Sequence, residues 1–146
     1  MKKILVALDG SEREQGVLDA SIALAKRTNA KLVLFRAVGV PKDIPLEAFS
    51  LGPDDVARLL EKQASDDLKR VLAHVPAEVA EGTRVLFGPP WAAIEQAAKE
   101  SDADLIIIGA HGYGKLDRIL GTTAAKVVNH ADRPVLVIRA PERITA

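Results

Sequence analysis

A chain of 146 residues, nearly half of them apolar, is long enough to bury a real core and most simply forms one domain spanning residues 1–146. Its 20 basic and 20 acidic side chains cancel, which argues against a broad nucleic-acid surface or an anionic-membrane surface. With no cysteine, disulfides, thiol catalysis and thiolate metal sites are excluded.

Met-Lys-Lys leads directly into Ile4–Leu8, an apolar run of strand length and too short for a secretory signal core, so a cytoplasmic protein is expected. No apolar run approaches the length of a membrane span. Asp9-Gly10-Ser11 breaks the strand, and Ser11 with Glu14 has capping-box spacing ahead of a helix expected to run to about Thr28. Val17, Leu18, Ile22, Leu24 and Ala25 give that helix its apolar side. Lys31–Val38 reads as the second strand. The Gly39–Gly52 segment, with Pro41 and Pro45, is long for a connection and reads equally as a lid over a ligand or as a passive surface loop. Pro53-Asp54-Asp55 suits a helix start, and Val56, Leu59, Leu60, Leu68, Val71, Leu72 and Val75 form one long stripe at helical spacing. Thr83–Phe87 is a third strand, Gly88-Pro89-Pro90 turns into a helix carrying Trp91, Ile94, Ala97 and Ala98, and Leu105–Ile108 is a fourth strand. A glycine-rich loop, a helix opening at Gly121-Thr122 and a final strand, Val135–Ile138, complete the order βαβαβαβαβ. Strands alternating with helices imply an α/β, doubly wound parallel sheet with helices on both faces. Ligands of such sheets bind outside the carboxyl ends of the strands, here Leu8-Asp9, Ala37-Val38 and Gly109.

The loop after the fourth strand carries the chemistry. Glycine leaves no Cβ in the way of a ligand, and hydroxyls at a helix start add donors where free N–H groups and the dipole already attract anions. Gly109, Gly112 and Gly121-Thr122 together therefore suit a phosphate. Gly109 to Leu116 nearly spells a Walker A loop, but Leu116 stands where the Mg²⁺-holding hydroxyl belongs. The first strand lacks a dinucleotide fingerprint. A phosphoacceptor role for Asp9 is poorly supported, because Phe87-Gly88 follows the third strand where that chemistry wants an aspartate. Asp9 reads equally as a turn or capping residue. His74 and His130, near helix ends, are dipole partners when charged; His111 either orders the glycine loop or meets a ligand. No pair of histidines has metal-ligand spacing, and nothing nominates a nucleophile with its base.

With these residues in view, the chain resembles the universal stress proteins over essentially its whole length. The likeness is carried by the opening Ile-Leu-Val-Ala-Leu-Asp-Gly-Ser, the Gly-Pro-Pro turn, Ile-Ile-Gly-Ala-His-Gly followed by Gly-Thr, and the closing Pro-Val-Leu-Val-Ile. The resemblance implies a five-stranded parallel sheet of order 3-2-1-4-5 holding ATP with Mg²⁺ at its carboxyl ends. Carried over by position, Ala7, Leu8 and Asp9 meet ribose and adenine, Ala37 the adenine edge, and Ile108 and Gly109 the ribose side. Gly112, Gly121, Thr122 and Thr123 then hold the phosphates, with His111 beside them. Nucleotide-binding members carry G-x2-G-x9-G-S/T; here eight residues, Tyr113 to Leu120, separate the last two glycines.

The function expected is an ATP-binding regulatory domain of the stress response, with at most slow turnover; the alternative is a nucleotide-free interaction module. The final strand has four apolar residues in a row with only Pro134 and Arg139 as obvious edge protection, so a homodimer through Val135–Ile138 is expected, as the resemblance also implies.

Overall fold

Strands four to eight residues long, the central ones built on apolar runs, form the sheet of the computed structural model, which describes residues 1–39, 52–110 and 120–139. In chain order the elements are β1 (Lys3–Ala7), α1 (Glu14–Thr28), β2 (Lys31–Val38), α2 (Pro53–Leu72), β3 (Ala80–Phe87), α3 (Pro90–Glu100), β4 (Leu105–Gly109), α4 (Thr122–His130) and β5 (Val135–Ile138). All four pairings are parallel and the sheet order is β3-β2-β1-β4-β5. The doubly wound parallel class read from the sequence and the 3-2-1-4-5 order implied by the resemblance are both observed.

Each strand sends alternate side chains to opposite faces. Ile4, Val6, Leu8, Leu32, Leu34, Leu105 and Ile107 pack under α1 and α2, meeting Val17, Leu18, Ala25 and Leu68. Leu5, Val33, Phe35, Ile106 and Ile108 face the other way, against Ala93, Ile94, Ala97 and Ala98 of α3 and Ala124 and Val127 of α4. Burial on both faces explains why the central strands lack a polar alternation. Each fully buried aliphatic side chain contributes about 1.5–3 kcal/mol.

Three local differences from the sequence reading have physical causes. β3 begins at Ala80, three residues before the expected Thr83, because an edge strand tolerates Glu81 and Gly82, and a register shift between Leu32 and Val33 absorbs the extra residue. The stripe on α2 does not continue as helix to Val75: the helix stops at Leu72, and His74 lies in the turn beyond it, its N–H donating to Val71. The Ser11–Glu14 capping box does not form. The Ser11 hydroxyl accepts instead from the Arg13 N–H at 3.3 Å, and the Glu14 carboxylate reaches back past Ser11 to the Gly10 N–H at 3.2 Å.

Two polar pins lock the frame at the amino ends of the strands. The Asp104 carboxylate accepts the N–H groups of Lys2 at 2.7 Å and Lys3 at 3.0 Å, tying the start of β1 to that of β4. Those two backbone hydrogen bonds hold its carboxyl below the usual aspartate range. Arg133 donates from Nη1 to the carbonyls of Ala98 at 2.9 Å and Ala103 at 2.7 Å, closing the end of α3 against the approach to β5. Among the described residues, no helix is long and apolar enough to cross a membrane.

Candidate functional site

The winding of the sheet reverses between β1 and β4. At that point Ala7 stands level with Ile108 on one side and Phe35 on the other. Beyond the strand ends the backbone stays tied. The Leu8 N–H donates to Phe35 and the Ala110 N–H to Ile138, both at 2.8 Å. Gly121 donates its N–H to the Ala110 carbonyl at 2.8 Å, so the chain that leaves β4 returns to the same point before α4 starts. The amino end of α4 is thereby held over the carboxyl end of β4.

Gly121 is the residue that caps α4, and it brings no side-chain acceptor to the free N–H groups of the first turn. Such an end attracts anions through its N–H groups and dipole. The φ of Gly121 is −59°, which any residue adopts, so the backbone conformation does not require glycine here. Thr122 is exposed and Thr123 half-buried at this end.

Opposite them, the turn after β1 is built from Asp9, Gly10 and Ser11. Asp9 is exposed, and its Oδ1 accepts the Ser11 N–H at 2.9 Å, the turn role open to it from the sequence. Gly10 takes a φ of +77°, a left-handed conformation in which an L side chain is strained. Its N–H is held by Glu14, and the same Glu14 oxygen lies 2.9 Å from Nη2 of Arg36. Arg36 also approaches Asp67 of α2 at 3.5 Å.

The other residues singled out by sequence divide into four groups. Ala7, Ala37 and Ile108 share the sheet face of α3 and α4, together with Leu120. Leu8 turns to the opposite face as a buried core residue, so it has a backbone carbonyl but neither side chain nor N–H to offer. Gly109 is fitted to its neighbour: a Cβ there would sit 3.2 Å from Cγ2 of Val17, so glycine lets α1 close onto β4. His111 and Gly112 lie outside the described residues, as does nearly all of the Gly39–Gly52 segment.

Sequence reading missed Ala110, Leu120 and the Arg36–Glu14 pair. An arginine in the otherwise apolar interior of Leu32–Val38 was the available signal for that pair. His130 is placed as expected at the end of α4, where its Nδ1 lies 2.8 Å from the Lys126 carbonyl and its ring tilts against Trp91 at 4.8 Å. No group of three His, Asp or Glu side chains that could hold a metal occurs among the described residues. A cavity of about 270 Å³ opens at the other end of the sheet, but its charged walls pair with each other, Lys3 with Glu81 and Arg84 with Glu100.

The fold defines a doubly wound α/β protein whose winding reverses between β1 and β4, the position at which ligands of such sheets generally bind. The family model of the universal stress proteins matches residues 1–139, and the chain belongs to that family. A Staphylococcus aureus (strain USA300) relative bearing the universal stress protein name is 29% identical over 143 residues, covering 97% of this chain and 86% of its own. The solved universal stress protein UspA from Lactobacillus plantarum is 28% identical with a TM-score of 0.72, covering 94% of this chain and 97% of its own. A universal stress protein solved in complex with cAMP is 25% identical with a TM-score of 0.60, covering 94% of this chain and 96% of its own.

Proposed function

We propose that this chain is an adenine-nucleotide-binding regulatory protein, with ATP and its Mg²⁺ as the ligand, acting as one domain over residues 1–146. The observation that carries the reading is the Gly121–Ala110 hydrogen bond, which holds a glycine-capped helix end over the strand end where the winding reverses. Family membership supports it, as does the cAMP complex of a relative, since adenine, ribose and phosphate are common to cAMP and ATP. In this reading the phosphates lie against Gly121, Thr122 and Thr123, with Gly112 and His111 contributing from the loop. Ala7, Asp9 and the carbonyl of Leu8 meet ribose and base, Ala37 lines the adenine edge, and the backbone of Ile108 and Gly109 lies on the ribose side.

Free N–H groups at the start of α4 fit phosphate oxygens. A Mg²⁺ would then be held by those oxygens and water, since the described residues contain no carboxylate cluster for it. No nucleophile and base pair among the site residues described, so turnover is at most slow. Titration calorimetry on the folded protein tests the reading. Saturable binding of ATP and AMP is expected; no heat with either at millimolar ligand moves the assignment to a nucleotide-free interaction module.

We also propose a homodimer through β5. This strand ends the sheet, none of its four residues is buried, and Leu136 is 39% exposed. Ile106 and Ala110 donate to the carbonyls of Pro134 and Ile138, so by alternation Val135 and Val137 direct their own N–H and C=O groups outward. Antiparallel pairing of two such edges across a two-fold satisfies those groups and closes the assembly.

A further inference from the structure

We infer that Arg36 is a positioning residue for the nucleotide site: through Glu14 it holds the Asp9-Gly10-Ser11 turn, and so sets affinity for the adenosine half of the ligand. The inference rests on the nucleotide reading above and adds to it a residue outside the binding surface. Arg36 follows four buried residues of β2, and its side chain is only 16% exposed. It points to the α1 and α2 face, where Leu32 and Leu34 before it serve the core. Its Nε is buried with no hydrogen-bond partner among the described residues. An unsatisfied buried N–H is unfavourable, and an apolar side chain would avoid it, so core packing does not account for an arginine here.

What the guanidinium does instead is fix a carboxylate. Nη2 lies 2.9 Å from Oε1 of Glu14, and that same oxygen accepts the Gly10 N–H at 3.2 Å. Both side chains of the pair are more than four-fifths shielded from solvent, so the contact is little screened. A Cβ built on Gly10 would meet Nη2 at 3.5 Å, which places the guanidinium directly beside the left-handed glycine. On its other side Asp67, at 3.5 Å, steadies Arg36 against α2. The order of control runs from Arg36 to Glu14, from Glu14 to the Gly10 N–H, and from Gly10 to the direction of the adjoining Asp9. Ala37, the next residue, points to the opposite face, so Arg36 acts on the ligand through the turn and not by contact.

The test combines binding with a spectroscopic readout of the free protein. In Arg36→Met, affinity for AMP and for ATP should fall by the same factor, about three- to tenfold, as for one lost hydrogen bond of ordinary net strength. The Gly10 amide resonance should shift and exchange faster in the ligand-free state. Glu14→Met, which removes the shared acceptor oxygen, should do the same, and the double variant should lose little more than either alone. Arg36→Lys, which keeps a cation opposite Glu14, should recover most of the affinity. Arg84→Met, which breaks an ion pair with Glu100 that shares no residue with the Asp9-Gly10-Ser11 turn, should leave affinity unchanged and serves as the control for general destabilisation. If Arg36→Met does not fold, Glu14→Met carries both readouts. Wild-type affinity in a folded Arg36→Met or Glu14→Met, or an unmoved Gly10 amide, overturns the inference. A parent protein that binds no nucleotide overturns the functional reading instead, and the Gly10 amide then decides whether Arg36 holds the turn.

Discussion

Gly121 and Ala110 are eleven positions apart, yet the N–H of the first donates to the carbonyl of the second at 2.8 Å. The bond returns the chain to the end of β4, where α4 begins. Gly121→Val therefore probes space at this point without straining the backbone, because a φ of −59° suits valine. The expected outcome is a folded protein with nearly unchanged melting temperature and ATP affinity reduced on the order of tenfold, about 1.4 kcal/mol. Thr122→Ala, losing one hydroxyl donor, should cost about 1 kcal/mol of binding. Calorimetry with ATP and AMP checks both. AMP binding that survives Gly121→Val places the damage in the outer phosphates; two variants that bind ATP like the parent would place the phosphates elsewhere.

Asp9 has a structural task, accepting the Ser11 N–H, and a proposed ligand task on the ribose or base. Two substitutions separate them. Asp9→Asn keeps an oxygen for the turn and loses the charge, whereas Asp9→Ala loses both. Asp9→Ala should weaken AMP and ATP alike by about tenfold and lower the melting temperature slightly. Asp9→Asn should restore the melting temperature and only part of the affinity. Equal loss for free phosphate and ATP would contradict a contact on the adenosine side.

At the sheet edge, Val137→Pro removes an N–H that points away from β4. Proline should therefore weaken the proposed dimer while sparing the β4–β5 ladder. Light scattering at micromolar concentration should find a dimeric parent and a variant shifted toward monomer. A monomeric parent, or a dimer indifferent to this proline, refutes pairing through β5.

The Asp104 pin makes stability depend on pH in a defined direction. Its hydrogen bonds to the Lys2 and Lys3 N–H groups require the ionised carboxylate, so the folded pKa lies below that of the unfolded chain. Stability from this source is fully present above the unfolded value, about 3.9, and is lost as pH falls through the lower folded value. Urea unfolding of the parent and Asp104→Asn should differ by a constant amount near neutral pH, and the two curves should converge in acid. A difference that grows on acidification would be the wrong sign.

How far the chain could be read in one dimension depends on the range of the interaction involved. β2, β5 and the end of α1 at Thr28 fall where the residues place them, because apolar runs, helical spacing and an Asn29 able to take φ of 55° act between near neighbours. The winding class follows from alternation of strands and helices for the same reason. The parts that eluded sequence reasoning are those decided by distant partners. Ser11 and Glu14 have capping-box spacing, but Arg36, 22 residues on, claims the Glu14 carboxylate once β2 lies against β1. Gly109 reads as room for a ligand, and the packed structure shows Val17 of α1 within 3.2 Å of the Cβ it lacks. Leu8 reads as a strand-end contact and becomes core because the period of two turns its side chain under α1 and α2. Spacing along the chain is enough to choose a helix or a strand. Which carboxylate meets which arginine, and which glycine makes room for a neighbouring helix, is settled only when the sheet assembles, since those contacts join atoms that the backbone alone leaves far apart.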